Sequence, residues 1–314
     1  VKLLADDQDF HVELTDTILH MAEMPARSID LAVTSPPFPT LYAYSSDDAD
    51  IGNSEDLDGD ARLHLSWFYR QFARILKPGR AAVIHVMQIP RMKRAGGQGL
   101  FDFRGLNIRL AERAGLIFEY DWAVWVNPQA QAITTKSREL QFAGLESDRA
   151  RSRGAFPDYL LKFTAPGDNK VKVDSEGDVS RNDWIDWAEA LWRPEKYPIS
   201  VDGRKKAFTL NTEEAKGPED TRHICPMKLS ICDRLVRLFS NPGETVFDPF
   251  TGVGSTGFTA VRRGRRFYGT EMKPEYQQAA IANLARAVKM RNESNRTLFD
   301  GLDDAVCDET VEVT

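Results

Sequence analysis

The stretch from Thr245 to Glu271 limits the possible folds more than any other part of the chain. Thr245 to Phe247 reads as a strand, Asp248-Pro249-Phe250-Thr251-Gly252-Val253-Gly254-Ser255-Thr256-Gly257 as a glycine-rich turn, Phe258 to Arg263 as a helix and Arg266 to Thr270 as a second strand. Parallel neighbours need a crossover of this kind, so the pattern predicts an open α/β sheet. Glu271 lies 271 − 252 = 19 residues beyond the first glycine of Gly252-x-Gly254-x-x-Gly257. That spacing seats a nucleotide cofactor, with the acidic residue accepting from ribose hydroxyls. It also fits a dinucleotide. Asp248 separates the two cases: a carboxylate at the strand end repels a pyrophosphate and attracts the ammonium of a methionine-type cofactor. S-adenosyl-L-methionine therefore suits the turn better than NAD.

A second strand end lies near the start of the chain. Phe10 to Leu14 alternates like a strand, Thr17 to Met24 is helical until Pro25, and Ile29 to Val33 is an apolar strand running into Thr34-Ser35-Pro36-Pro37-Phe38. Proline fixes φ and biases its predecessor to extended geometry, so Ser35 and Pro36 leave the strand rigidly. Ser35 Oγ and the Pro36 carbonyl are acceptors, and Phe38 adds a flat apolar face. Together they suit a planar ring carrying an amino group, although a proline-rich turn leaving a buried strand has the same sequence. Asp16 ends the preceding strand, and ligands in open α/β sheets sit at such ends, so Asp16 and Ser35 are expected to face one cleft.

The α/β rhythm continues to Phe163. Pro39 to Asp60, rich in Asp, Ser, Gly and Tyr, is expected to be a loop over the cleft mouth. Leu65 to Leu76 and Leu106 to Ala114 have helical spacing; Ala81 to Val86, Ile117 to Val126 and Tyr159 to Phe163 read as strands. Between Thr164 and Arg222 the rhythm disappears, and Trp184, Trp187 and Trp192 fall within nine residues. That density is too apolar for a solvated tether, which predicts a recognition insertion or, alternatively, a helix docking its tryptophans on the main domain. The rhythm resumes with an amphipathic helix, Lys228 to Phe239. It closes with a helix from Pro274 to Met290 and an acidic, frayed tail from Thr297.

With 314 residues, 42% of them hydrophobic, the chain can bury one large core plus an insertion. No apolar run approaches the roughly 18 residues of a membrane span, and the first ten residues show no signal pattern, so a cytoplasmic protein without membrane contact is expected. Cys225, Cys232 and Cys307 are odd in number and unevenly spaced, which fits free thiols and gives no metal-ligand pattern. A net charge of −6 excludes a general nucleic-acid coat. Any DNA contact must use local clusters: Arg91-Met92-Lys93-Arg94 with Arg104 and Arg109; Lys136, Arg138, Arg149, Arg151 and Arg153; and Arg262-Arg263-Gly264-Arg265-Arg266. Such clusters are equally the makings of a solvated face.

Thr34 to Phe38, taken with Phe247 to Ser255, resembles the amino-methyltransferases of DNA, and the order of the two motifs resembles their β class. His223-Ile224-Cys225-Pro226-Met227-Lys228 is similar to the segment those enzymes carry before the cofactor strand, and Gly269-Thr270-Glu271 to the one after it. The likeness covers Phe10 to Val86 and Arg222 to Leu284; between them only the rhythm is shared. It implies a Rossmann-like methyltransferase sheet with helices on both faces, divided into a catalytic half (1–163), a target-recognition insertion (164–222), a cofactor half (223–296) and a flexible tail (297–314).

It further implies S-adenosyl-L-methionine as methyl donor, with Asp248, Pro249 and Phe250 at its methionine part and Lys228 near that end. Glu271 would hold the ribose, Asp16 the adenine, and Thr34, Gly252 and Gly254 would complete the cofactor set. Ser35, Pro36, Pro37 and Phe38 form the catalytic set. An exocyclic amine has its lone pair delocalised into the ring, and acceptors such as Ser35 Oγ and the Pro36 carbonyl draw its nitrogen toward tetrahedral geometry. The implied partners are double-stranded DNA with an extruded base, a cognate restriction endonuclease, and a second copy of the chain. Family members with Asp at the place of Ser35 mostly act on adenine N6, so Ser35 favours cytosine N4. Methylation at cytosine C5 needs a Pro-Cys pair, whereas this chain has Cys225-Pro226 in another segment. A methyltransferase fold kept only to bind DNA is the alternative of a different class, but neither motif is broken.

Overall fold

The computed structural model describes residues 3–39, 59–91, 99–135, 142–146, 148–202, 206–212, 215 and 226–306. In chain order its strands are β1 (Phe10–Leu14), β2 (Leu31–Thr34), β3 (Ala81–Val86), β4 (Ile89–Pro90), β5 (Leu100–Phe101), β6 (Ile117–Val124), β7 (Asp158–Thr164), β8 (Leu191–Trp192), β9 (Ile199–Ser200), β10 (Lys206–Ala207), β11 (Thr245–Asp248) and β12 (Arg266–Glu271). The helices are α1 (Thr17–Glu23), α2 (Asp60–Ile75), α3 (Phe103–Arg113), α4 (Pro128–Thr134), α5 (Phe142–Glu146), α6 (Arg181–Trp187), α7 (Leu229–Phe239), α8 (Ser255–Arg262) and α9 (Pro274–Val306).

Eight strands form one sheet in the order β1-β12-β11-β2-β3-β7-β6-β8. The five from β1 to β3 pair in parallel, while β7 runs antiparallel between β3 and β6. Every residue of β2 is buried, as a parallel strand covered on both faces requires. Ala32, Ile84 and Phe247 pack with Phe68, Phe72 and Phe103 of α2 and α3 on one face; Val33, Val83 and Val246 pack with Leu235, Phe258 and Leu284 of α7, α8 and α9 on the other. This is the Rossmann-like sheet with helices on both faces that the sequence predicts. No described helix is long and apolar enough to cross a membrane.

Strand order positions the site. From β2 the chain moves to β3 on one side, and from β11 to β12 on the other, although β2 and β11 are hydrogen-bonded neighbours. The connections leaving their C-terminal ends therefore diverge and open a crevice above the sheet, where open α/β folds bind ligands.

Three expectations change. Helix α8 begins at Ser255, three residues before Phe258, because Gly254 takes the left-handed conformation (φ 88°) at the N-cap and turns the chain at once. Helix α9 continues through Thr297 to Val306, so part of the expected tail is helical. The segment after Thr164 is less irregular than its sequence: Leu191–Trp192 joins the main sheet beside β6, and α6 carries a Ser180–Asp183 capping box. Trp187 and Trp192 are buried, and Trp192 lies 4.7 Å from Trp122, ring centre to ring centre. From α7, Arg234 covers both rings and pairs with Asp186 at 2.9 Å, while Arg237 pairs with Asp183 at 3.0 Å. Only Trp184 of the three tryptophans is exposed. The expected cleft loop lies almost wholly outside the described residues, as do Cys225 and Cys307. Cys232 is a free, buried thiol.

Candidate active site

At the exit of β2, successive side chains leave the sheet on opposite faces. Thr34 pairs in register with Ile84, which sets Ser35 beside His85. Ser35 Oγ lies 3.2 Å from the backbone oxygen of His85. A carbonyl only accepts, so the Ser35 proton points there and the lone pairs remain for another donor. Phe38 is 9% exposed and packs edge-on against Phe103 at 5.9 Å. Most of its ring therefore belongs to the core, with an edge on the crevice.

At the exit of β11, Thr34 Oγ1 donates to Asp248 Oδ1 at 2.6 Å, and Phe250 N–H donates to the same oxygen at 3.0 Å. Asp248 is 4% exposed. Burial pushes its pKa up to about 6 against the lowering effect of these hydrogen bonds. Glu271, at the end of β12, accepts from Gly252 N–H at 2.8 Å and Lys273 N–H at 3.0 Å. Its burial, with the nearby Asp248 charge adding to it, pushes the pKa up to about 7. Across the sheet, Asp16 caps α1 by accepting from Ile18 N–H and Leu19 N–H on one carboxylate oxygen, which leaves the other uncommitted among the described residues.

A cavity of about 690 Å³ joins these strand ends. It brings together Asp16, Ser35, Pro37, Phe38, Lys228, Asp248, Pro249, Phe250, Gly252 and Glu271. Three predicted residues do not line it. Thr34 is fully buried and acts on Asp248, and Pro36 is buried. Gly254 packs against α9, where an added Cβ would lie 2.8 Å from Leu284 Cδ1. Gly257 serves packing too: a Cβ there would meet the Phe267 ring at 2.7 Å. Of the three glycines in the fingerprint, only Gly252 touches the cavity.

Sequence reasoning missed several wall residues. Ser255 lines the cavity at the first turn of α8, and its Oγ is buried without a hydrogen-bond partner among the described residues. His85 and Asp158 line it as a pair, with Nε2 of the histidine 3.1 Å from Asp158 Oδ2. The available signal was a lone histidine inside the apolar run Ala81 to Val86. The basic clusters also change character. Arg263 pairs with Asp233 at 2.6 Å, Arg265 is 1% exposed and pairs with Asp178, and Arg262 donates to Ser200 O at 2.7 Å. Within this cluster Arg265 is buried, and the half-buried Arg262 and the exposed Arg263 are engaged by partners within the fold. In the first cluster Arg104 pairs with Asp121 at 2.7 Å, and Met92 to Arg94 lie outside the described residues. In the second, Arg149 is exposed, and Lys136 and Arg138 lie outside them.

Comparison with known proteins agrees with this geometry. A family described as DNA methylase, N6_N4_Mtase, matches residues 29–282. The Type II methyltransferase M.BglII of Bacillus subtilis is 25% identical over 289 residues, covering 86% of this chain and 67% of the relative. M.BglI of the same organism is 29% identical over 185 residues, or 59% of this chain, which spans only 43% of that relative. A candidate DNA modification methylase of Thermus thermophilus, solved with S-adenosyl-L-methionine, has a TM-score of 0.64 at 23% identity, covering 89% of this chain and 94% of that one. The PvuII DNA methyltransferase, described as cytosine-N4-specific, has a TM-score of 0.61 at 18% identity, covering 91% and 92%. At these identities the structures share the fold with this chain.

Proposed function

Because the chain belongs to the DNA methylase family of N6 and N4 amino-methyltransferases, we propose that it transfers a methyl group from S-adenosyl-L-methionine to the exocyclic N4 amine of a cytosine flipped out of double-stranded DNA. The observation that carries this reading is the committed hydroxyl of Ser35. With its proton on His85 O, Ser35 Oγ offers only lone pairs to the cavity. An acceptor there takes an amine N–H and pulls the nitrogen out of conjugation with its ring. Ser in place of Asp supports cytosine over adenine.

The donor set fits the methyl donor. Asp248 and Glu271 supply carboxylates for an ammonium group and for ribose hydroxyls; the unpartnered Ser255 Oγ and the first turn of α8 supply donors for a carboxylate. Asp16 keeps one free oxygen for an amino group of adenine. The bound donor would provide an electrophilic methyl carbon on a sulfonium. Phe250, resting on Phe68 at 5.2 Å, keeps that part of the wall apolar and rigid. The segment from Thr164 to Arg222 is read as the part that selects the DNA sequence, and a restriction endonuclease of the same specificity as the functional counterpart.

The test is to methylate DNA with the protein, digest it to nucleosides and analyse their masses. N4-methylcytosine is the expected product. N6-methyladenine would overturn the base assignment and keep the chemistry, while unmodified DNA with intact cofactor binding would favour a DNA-binding module.

A further inference from the structure

The pair formed by His85 and Asp158 has no part in the reading above except through a backbone oxygen. His85 belongs to β3 and lines the cavity, and its imidazole is 15% exposed. Val83 and His85 share one face of β3, and Ser35, one residue past the Thr34–Ile84 pair, lies beside His85. From β7, Asp158 Oδ2 stands 3.1 Å from His85 Nε2. A carboxylate accepts, so the imidazole proton sits on Nε2, and Nδ1 carries a lone pair without a hydrogen-bond partner among the described residues.

We propose that His85 is the proton acceptor of the transfer reaction and that Asp158 is the positioning residue that fixes its tautomer. This inference rests on the methyl-transfer reading. As the lone pair of the amine nitrogen forms the new N–C bond, the S–C bond breaks and its electron pair stays on sulfur, leaving a neutral thioether. The nitrogen then holds one proton too many. Ser35 holds the amine by one N–H yet cannot take its proton without becoming an oxonium, since its own hydrogen is directed at His85 O. The imidazole beside it takes the proton at Nδ1, and the Asp158 carboxylate stabilises the resulting imidazolium before the proton passes to solvent. Other charged groups on the cavity wall are Asp16, which caps α1, Asp248, which is bound to Thr34, Glu271, which accepts from Gly252 N–H, and Glu195, Lys228 and Lys273.

The substitution His85→Ala leaves the backbone acceptor of Ser35 in place, so it isolates the ring. Single-turnover methyl transfer should fall about 100-fold, at the low end of what a positioned base contributes, while affinities for S-adenosyl-L-methionine and for DNA stay within about twofold. Added imidazole should restore a large part of the rate to His85→Ala and none to Ser35→Ala. Asp158→Asn should lower the rate less, and side-chain ¹⁵N spectra of the unliganded protein should show His85 lose its preference for the Nε2–H tautomer. Unchanged transfer by His85→Ala, a lost rate that imidazole does not restore, or an unaltered tautomer in Asp158→Asn would each overturn the assignment. If the wild-type protein itself methylates no DNA, the underlying functional reading fails instead.

Discussion

Two neighbouring strands leave the sheet through a polar residue, proline and an aromatic, yet they end in opposite chemistry. At β11 the polar group is a carboxylate, buried and supplied with donors from Thr34 and Phe250. At β2 it is a half-buried hydroxyl whose proton is tied to His85 O. In the proposed reaction one exit holds negative charge for a cation, and the other presents neutral lone pairs to a weakly acidic N–H. The proline turns give both side chains a fixed direction, and the strand neighbours decide what each can bind. Thr34 belongs to the β2 exit in sequence and is hydrogen-bonded to the β11 exit.

The division predicts that each exit fails separately. Ser35→Ala should lose at least about 100-fold in methyl transfer, the scale of deleting one oriented hydrogen-bonding group from a reaction centre. Its affinity for S-adenosyl-L-methionine should stay within about twofold, measured by titration calorimetry. If transfer persists, the hydroxyl is not the amine acceptor. Asp248→Asn should do the reverse at smaller scale, weakening cofactor binding by about 10-fold to 100-fold, as expected for an ammonium that loses its carboxylate partner. The unliganded variant should also gain stability at pH 8. A carboxyl with a pKa raised from 3.8 to about 6 stabilises the fold while protonated, and that contribution is lost as pH rises through about 6. Replacing it with the amide removes that cost, on the order of 3 kcal/mol. Thermal melts at pH 5 and pH 8 read the difference, and equal shifts at both would contradict the buried-charge account.

The same carboxyl makes cofactor affinity depend on pH. If charged Asp248 holds the ammonium, affinity should fall as pH drops below about 6, approaching tenfold per unit. Glu271, raised to about 7, protonates first on acidification. Its loss of charge should change affinity less, because ribose hydroxyls are neutral donors that a carboxylic acid still accepts. A calorimetric series from pH 5 to 8 should show one steep limb in wild type and a shallow one in Asp248→Asn. A flat wild-type series would break the assignment of the β11 exit to the cation.

Much of this was legible in the sequence, for a physical reason. Apolar runs bounded by Pro and Gly mark buried parallel strands, and residues at or just past their ends are placed by the chain itself, which is how Ser35, Asp248 and Glu271 come to line one cavity. The missed features depend on long separations. Thr34 meets Asp248 across 214 positions, and His85 meets Asp158 across 73. The arginines at 262–266 read as a free basic patch, yet Asp233, Asp178 and the Ser200 carbonyl, distant in sequence, engage three of them. The tryptophans gave a similar warning: density showed that the segment folds against something, while only packing shows that Trp187 and Trp192 are anchors and Trp184 faces out. A glycine fingerprint also conceals its own division of labour, since Gly252 meets the cavity and Gly254 and Gly257 let helices approach.

The mildest substitution examines the link between the two exits. Thr34→Val keeps the shape of a fully buried side chain and removes only the donor to Asp248 Oδ1. That hydrogen bond holds the Asp248 pKa down against burial, so without it the carboxyl should titrate above about 6. The pH at which cofactor affinity begins to fall should therefore move upward. At pH 8 the loss of affinity should be slight, about threefold, because one neutral donor is missing and the charge remains. Ser35 keeps its own bond to His85 O, so single-turnover transfer at saturating cofactor should change least of all. A large fall in that rate, with the affinity profile unmoved, would mean that Thr34 serves the reacting base directly and that the two exits form one device.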